Sequence, residues 1–407
     1  MDPETPPRRC RKSEVAVAFC KRAAVAQQVT HCLMEIMFND AIVLGRELDE
    51  YLRVHGRTMG LLPGVPVSIK DSFDTTGHET TMGCISFIEC SMATGNSPIA
   101  DILLCLGAVL YVKTNIPQTM ISTDSENNIF GRVLNPHNLS LTAGGSSGGE
   151  GTLLAMRGSI LGVGTDIAGS IRVPVLCCGT FGFKLSCSRI PHGGQSTGPQ
   201  PSASRREKPG IQPCAGPLAM SLGDLELFMG VGAQDGEETE RTAVGVVLED
   251  PEYPFQPPIS CTLKAAVEHS PSKSKAAKLS FKLFSLDSSR TAFRQIEASG
   301  EPPIPRADFA AVWHKIWLEN ELDAIIMPGH NRTASPHDSY GHPPYTLLWN
   351  LLDYPACIIP YGKIDQLLIP PRTVRLLQRS YDPGIFSSAP CAIQVVGRKG
   401  CGRHCSL

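Results

Sequence analysis

Two clusters rich in glycine and serine, both within residues 143–174, constrain this chain more than any other feature. The first is residues 144–149, GGSSGG, and the second is residues 164–170, GTDIAGS. Between them lies TLLAMRGSILGVG, a small-residue helical pattern whose apolar side chains must be buried. Because glycine lacks a Cβ, the backbone of each cluster can approach a ligand closely and point several N–H groups toward it. A serine hydroxyl beside such donors has the geometry that acyl transfer requires, a nucleophile next to an oxyanion hole.

Two other interpretations of the clusters are weaker. A Gly/Ser-rich segment is often a flexible linker, but a linker is not followed by an apolar helical pattern. A phosphate-binding P-loop has glycines at the spacing of residues 144–149, yet it requires a lysine where Glu150 stands. An anionic side chain at that position would repel phosphate.

The nucleophile elbow of hydrolases is a third alternative, because residues 144–148 match its G-x-S-x-G pattern. In that case the nucleophile is Ser146, or Ser147 in the frame one residue later. The elbow needs a buried strand before it, whereas the preceding LNPHNLSLTA is polar and turn-like. It also needs a late histidine, and the candidates lie among Pro, Gly and Asn residues: His330, His337, His342 and His404.

A lysine upstream of the clusters ends a short apolar pattern. Val65, Val67 and Ile69 alternate with other residues in GVPVSIKD, which predicts a strand with one apolar face. Lys70 follows at the end of that strand. Most lysines in such a position are simply solvated, so Lys70 becomes a candidate only in combination with the two clusters.

Three sequence blocks, GVPVSIKD, GGSSGGEG and GTDIAGSIRVP, follow one another along the chain. In this order they resemble the three signatures of the amidase signature family, whose members use a Ser-Ser-Lys triad. The matching residues are Lys70, Ser146 and Ser170, with 76 residues from Lys70 to Ser146 and 24 from Ser146 to Ser170. The blocks AFCKRAAVAQQ, KTNIPQT, NNIFGRVLNP and LLDYPACIIP look most similar to the fungal acetamidase or general amidase branch.

The resemblance implies a role for each triad residue. Ser170 attacks the amide carbonyl, Ser146 relays a proton, and Lys70 acts as the base, which requires a neutral amine. No metal ion and no organic cofactor is needed. The resemblance also implies that the backbone N–H groups of Ile167, Ala168, Gly169 and Ser170 hold the oxyanion, and that Ser146 and Met120 are further substrate-binding residues.

Two of these positions need comment. Met120 lies 26 residues before Ser146, where related fatty acid amide hydrolases place a substrate-binding backbone group. Ala168 stands where many members of the family have glycine, a small change that should still allow the turn.

Composition excludes several other classes of protein. The chain has 407 residues with 37 basic and 39 acidic side chains, a formal charge of −2, so it has no electrostatic footprint for nucleic acid. Its 15 cysteines include no metal-like CxxC pairs, which favours reduced, mostly buried thiols. The longest uncharged apolar stretch, residues 102–112, is too short to span a bilayer, and no signal-peptide core is present. We therefore expect a cytoplasmic protein without a transmembrane segment.

Helical and strand patterns alternate along the chain, which predicts the α/β class. The pattern is helical over residues 14–54, 98–107 and 345–352, whereas residues 108–112 indicate a buried strand and VLCCGTFGFKLSCSRIP indicates a strand and turn. The resemblance implies a single amidase-signature domain, with a mixed central β-sheet flanked by helices. We expect a polar tail at residues 1–13, the domain at residues 14–397 with an irregular stretch at 234–305, and a tail at 398–407. A homodimer is a possible assembly.

The function expected from these observations is hydrolysis of a small-molecule carboxylic acid amide to the acid and ammonia through a serine acyl-enzyme. One alternative is a transamidating subunit that takes ammonia from glutamine. Others are an enzyme like fatty acid amide hydrolase, or an amidase-like protein whose catalysis is impaired.

Overall fold

A computed structural model of the chain describes ten stretches of it. These are residues 10–89, 91–194, 211–230, 244–247, 253–268, 315–320, 322, 324–364, 384–386 and 388–397. The predicted tails lie largely outside this part of the chain.

One mixed ten-stranded sheet forms the centre of the described structure, with the spatial order β1-β3-β2-β6-β8-β7-β11-β12-β10-β9. Strand β2 runs parallel to both of its neighbours, β3 and β6, while β8, β7, β11 and β12 are antiparallel to their neighbours. The strands of this sheet are β1 Leu33–Ile36, β2 Pro66–Lys70, β3 Val109–Thr114, β6 Leu161–Asp166, β7 Phe181–Lys184, β8 Cys214–Ala219, β9 Val244–Val246, β10 Ala324–Pro328, β11 Ala356–Lys363 and β12 Pro390–Gly397. A separate small hairpin pairs β4 Glu126–Asn127 with β5 Gly131–Arg132.

Helices flank this sheet, which confirms the predicted α/β class with a mixed central sheet. Their bounds are α1 Lys12–Thr30, α2 Phe38–His55, α3 Pro98–Cys105, α4 Gly148–Ala155, α5 Arg172–Cys178, α6 Leu222–Met229, α7 Pro257–Glu268 and α8 Pro344–Leu351. None of the described helices is both long enough and apolar enough to cross a bilayer.

The buried apolar residues form two hydrophobic cores, and strand β2 contributes to one of them. Val67 and Ile69 belong to the core that also contains α3 and α7 residues, whereas residues of α1 and α5 form the second core. Because side chains alternate along a strand, Ser68 and Lys70 point to the opposite side from Val67 and Ile69. This alternation places Lys70 at the carboxyl end of a central parallel strand.

The expected irregular stretch at residues 234–305 is wrong in its described parts. Residues 244–246 form strand β9, and Pro257–Glu268 form helix α7, which buries Ile259 and Leu263. The prolines suggested irregular structure, but proline is well accommodated in the first turn of a helix, where its missing N–H has no partner to lose. The other residues of this stretch lie outside the described part of the chain.

Candidate active site

Lys70 is fully buried at the end of β2, and its amine contacts two hydroxyl groups. Its Nζ donates to Ser146 Oγ at 2.7 Å and to Thr165 Oγ1 at 2.8 Å. Burial lowers the pKa of Lys70 from 10.5 to about 7, although the negative charges of Asp166 and Glu150 act in the opposite direction. Near neutral pH a large fraction of this amine is therefore uncharged and able to accept a proton.

The chain segments that carry Ser146 and Ser170 meet, although the two serines are 24 positions apart in the sequence. Ser146 is 2% exposed and precedes α4, while Ser170 lies in the turn between β6 and α5 and is half-buried. The Ser147 N–H donates to the Ser170 carbonyl at 3.2 Å, which ties the two clusters together. No hydrogen bond joins the Ser170 hydroxyl to Ser146 or to another described residue. The structure thus joins Lys70 to Ser146 and brings the backbone of Ser170 to the residue that follows Ser146.

A buried carboxylate shapes the turn that carries Ser170. Asp166 Oδ1 accepts the N–H of Gly169 at 2.8 Å, and Asp166 Oδ2 accepts the N–H of Ile171 at 3.1 Å. The Arg172 guanidinium donates to both oxygens at 3.0 Å. Although burial alone would raise the pKa of Asp166, Arg172 and the hydrogen bonds lower it to about 2. This carboxylate therefore remains ionised and holds the turn through the physiological pH range.

The hydrogen bond from the Gly169 N–H to Asp166 reduces the number of N–H groups that are available to bind an oxyanion. Four N–H groups were predicted to hold the oxyanion, but that of Gly169 already donates to Asp166. Those of Ile167, Ala168 and Ser170 have no acceptor among the described residues. Three donors therefore remain available in this structure.

Helix α8 and strand β12 support the same turn from the far end of the chain. Thr346 Oγ1 donates to the Ala168 carbonyl at 2.7 Å, and Gly169 adopts a φ of +128° directly against this hydroxyl. Asn350 Nδ2 donates to Asp166 Oδ1 at 2.9 Å, and Arg172 Nη1 donates to Gln394 Oε1 at 2.8 Å. Residues from three separate parts of the sequence thus fix one turn.

Met120 lies in a short 3-10 turn, Gln118–Met120, that borders the first cluster. Its φ is +58°, and its N–H donates to the Pro117 carbonyl at 3.0 Å. Two residues on, the Ser122 carbonyl packs against Gly145 so closely that no side chain could fit at residue 145. The structure therefore brings the Met120 segment to the first cluster, next to a polar cavity of about 310 Å³ that Gln118, Ser122 and Asp124 line with others.

The alternatives to this site find no support in the described geometry. No described histidine hydrogen-bonds Ser146, Ser147 or Ser170. Among the late histidines, His330 is buried against the His342 carbonyl, and burial lowers its pKa to about 3. The described residues contain no cluster of three His, Cys, Asp or Glu side chains that could hold a metal ion.

Several residues of the site were not identified from the sequence. Thr165 and Asp166 lie inside the second cluster, but only the structure shows that their side chains bind Lys70 and the turn. Glu150 appeared only as the residue that excludes a P-loop, yet it is fully buried near Lys70. Thr346 and Asn350 belong to a helix predicted from its apolar pattern, and nothing local marks them as part of a site.

The comparisons with known proteins agree on one family. The Amidase family profile matches residues 14–270. The chain is 35% identical to an amidase of Gibberella moniliformis, covering 94% of this chain and 81% of that protein. It is 32% identical to an acetamidase of Aspergillus oryzae, covering 95% of this chain and 83% of that protein.

Solved structures show the same fold. A fatty acid amide hydrolase superposes with a TM-score of 0.79 at 27% identity, covering 96% of this chain and 79% of that one. A bacterial aryl acylamidase of the amidase signature family superposes with a TM-score of 0.72 at 18% identity, covering 96% of this chain and 90% of that one.

Proposed function

This chain belongs to the amidase family, as a hydrolase that acts on amides, and we propose that it converts carboxylic acid amides to acid and ammonia through an acyl-enzyme on Ser170. The observation that carries the proposal is the buried contact of Lys70 Nζ with Ser146 Oγ at 2.7 Å, beside the turn of Ser170. A lysine held in this way is a base that can act near neutral pH.

The first half of the reaction uses this contact as a proton relay. Neutral Lys70 accepts the proton of the Ser146 hydroxyl, and Ser146 accepts the proton of Ser170 as the Ser170 oxygen bonds to the amide carbon. The Ser170 hydroxyl has to turn toward Ser146 for this step, in line with catalytic hydrogen bonds that form only when substrate is bound. The carbonyl π electrons move onto oxygen and give a tetrahedral oxyanion.

The N–H groups of Ile167, Ala168 and Ser170 stabilise that oxyanion. Each donor of this kind contributes about 3 to 4 kcal/mol of transition-state stabilisation in comparable enzymes. Ile167 is 43% exposed, and Ala168 and Ser170 are half-buried, so a substrate can reach this turn from the surface.

The second half of the reaction reverses the relay. The carbon–nitrogen bond breaks as the proton on Lys70 returns through Ser146 to the leaving nitrogen, and ammonia departs. Water then attacks the Ser170 ester while its proton passes by the same route to Lys70. Breaking the ester bond returns that proton to Ser170 and releases the carboxylic acid.

Amide hydrolysis is tested by ammonia release over a panel of substrates. The panel includes acetamide, an aryl amide, a long-chain fatty acid amide and glutamine, which separate simple amidase activity from the fatty acid amide and transamidating alternatives. We expect turnover of a simple amide and none that depends on glutamine. Absence of ammonia from every substrate would instead favour an impaired amidase-like protein.

The nucleophile is tested separately by covalent labelling. A fluorophosphonate should label the wild-type protein on the peptide that contains Ser170, and Ser170→Ala should lose both label and turnover. Ser147→Ala is the matched control, because it removes a neighbouring hydroxyl that has no partner among the described residues. A label on Ser146 or Ser147 would contradict the assignment and support the elbow.

A further inference from the structure

Glu150 is a buried acid that the proposed mechanism leaves without a role. Its side chain is 0% exposed on the first turn of α4, two residues after that helix begins. Ser68 Oγ donates to its Oε2 at 2.6 Å, and Thr114 Oγ1 donates to its Oε1 at 2.9 Å. A buried carboxylate is costly unless its charge is balanced, so its presence here calls for an explanation.

The two hydroxyl groups that bind Glu150 belong to the strands that position Lys70. Ser68 lies two residues before Lys70 on β2, so the two side chains point to the same face of the sheet. Thr114 is the residue of β3 that pairs with Lys70 in the parallel register. Glu150 is therefore hydrogen-bonded to both strands, at Ser68 and at the β3 residue that pairs with Lys70.

The neighbouring strand leaves space for this carboxylate. Gly162 of β6 pairs with Ser68, and a Cβ at residue 162 would overlap Glu150 Oε2. The helix that carries Glu150 begins two residues after Ser146. One side chain thus links β2, β3 and the helix that follows the relay serine.

The charges around Glu150 single out Lys70 as the group that it acts on. On β3, Tyr111 donates its hydroxyl to the Gly158 carbonyl at 2.5 Å, and burial raises its pKa well above 10. Before β1, burial raises the pKa of the Cys32 thiol to about 12, so both of these groups are neutral near pH 7. On β6, Asp166 is ion-paired with Arg172.

Lys70 is therefore the positively charged group that interacts electrostatically with Glu150. Burial raises the pKa of Glu150 to about 7, and Lys70 lowers it; conversely, Glu150 raises the pKa of Lys70. Two groups that interact in this way lose their protons in coupled steps.

We propose that Glu150 is a positioning residue of the reaction, whose carboxylate sets the pH at which Lys70 becomes a neutral base. An ionised Glu150 favours the ammonium form of Lys70 and so moves the active form to higher pH. Without that charge, Lys70 loses its proton at lower pH. The inference rests on the proposed function, because it assigns Glu150 a role in the activation of the same base.

The test compares the pH profile of Glu150→Gln with that of the wild-type protein. Glutamine has the same shape and can still hydrogen-bond both hydroxyl groups, but it carries no charge. The rising limb of kcat/KM should move to lower pH by on the order of one pH unit, the size of shift that a nearby charge produces. Glu50→Gln is the charge-matched control, since Glu50 is an exposed residue of α2 paired with Arg53, and its profile should not move.

Two further measurements keep the test decisive. Ser68→Ala deletes one hydrogen bond that lowers the pKa of Glu150, so the carboxyl is neutral over a wider pH range and the limb should move in the same direction by less. This variant serves if Glu150→Gln does not fold. The rate of fluorophosphonate labelling is recorded over the same pH range, because it reports activation of the serine whether or not an amide is turned over.

The outcomes separate the two proposals. A wild-type protein that is labelled with a pH limb but hydrolyses no amide contradicts the proposed function, and the position of the limb in Glu150→Gln still decides the role of Glu150. If both variants lose activity equally at every pH without a shift, Glu150 only supports the fold and the inference is wrong. A wild-type protein without any rising limb in either reaction overturns it as well.

Discussion

Replacement of Asp166 by asparagine should strongly destabilise this protein, because it removes the counter-charge of a fully buried arginine. Both side chains are 0% exposed, and Arg172 donates two hydrogen bonds of 3.0 Å to the carboxylate. Breaking a buried ion pair by removing one partner costs about 3 to 5 kcal/mol, since the remaining charge stays desolvated. Native domains have only about 5 to 15 kcal/mol of stability, so much of the total would be lost.

Protonation of Asp166 gives an independent measure of the same interaction. Its pKa falls from 3.8 to about 2 on folding, and a shift of this size corresponds to about 2 kcal/mol of stability. Because the folded pKa is the lower one, this stability is fully present above about pH 4 and is lost as the pH falls toward about 2. The cost of the substitution should be larger, because the asparagine amide also places N–H donors against donors of the turn.

Urea unfolding, followed by the fluorescence of the three tryptophans, measures both effects. We expect Asp166→Asn to lower the free energy of unfolding by about 3 kcal/mol or more at pH 7. The wild-type protein should lose its extra stability below about pH 4, and Asp166→Asn should show a smaller loss there. A double variant, Asp166→Leu with Arg172→Met, should be more stable than Asp166→Asn, since no buried charge is left alone. A loss below 1 kcal/mol for Asp166→Asn would refute the argument.

The remaining predictions concern activity. Lys70→Ala should flatten the rise of kcat/KM around pH 7, because activity appears there as the amine with a pKa of about 7 loses its proton; an unchanged limb would mean that another group is the base. Gly169→Ala should lower kcat by about 100-fold, because the new methyl group overlaps Thr346 Oγ1 and displaces the turn of Ser170; activity near the wild-type level would show that the turn tolerates a Cβ. Thr346→Ser keeps the hydroxyl that binds the Ala168 carbonyl, so ammonia release should stay close to that of the wild-type protein.

The sequence predicted the elements whose own pattern is strong. The alternation in GVPVSIKD identified β2 and put Lys70 at its end, and the apolar run at residues 108–112 identified β3. The small-residue helical pattern after the first cluster corresponds to α4 at its start, but its last residues, 161–164, lie in strand β6. In the segments that were predicted correctly, local propensity and tertiary packing favour the same structure.

Two other segments were assigned wrongly in part, because tertiary contacts override weak local preferences. The region from residue 14 to 54 was predicted as helical throughout, yet Leu33–Ile36 form an edge strand that pairs with β3. The segment VLCCGTFGFKLSCSRIP was predicted to be a strand and turn; Phe181–Lys184 do form strand β7, but residues 175–178 are the end of helix α5. The seven residues of α5 are all buried and the Arg172 side chain is anchored to Asp166, so packing decides the structure of this helix rather than propensity.

The second cluster has to satisfy two opposing requirements, and only the structure shows how it does so. The turn must be held rigidly, which uses N–H groups as hydrogen-bond donors, and it must also leave N–H groups free for an oxyanion. Asp166 meets the first requirement by taking the N–H of Gly169, Ile171 and, more weakly, Arg172, none of which belongs to the three open donors. Thr346 holds the Ala168 carbonyl, an acceptor, and so fixes the turn without using any donor. A motif gives the order of these residues but not the direction of their peptide groups, and the direction decides which amides remain available to a substrate.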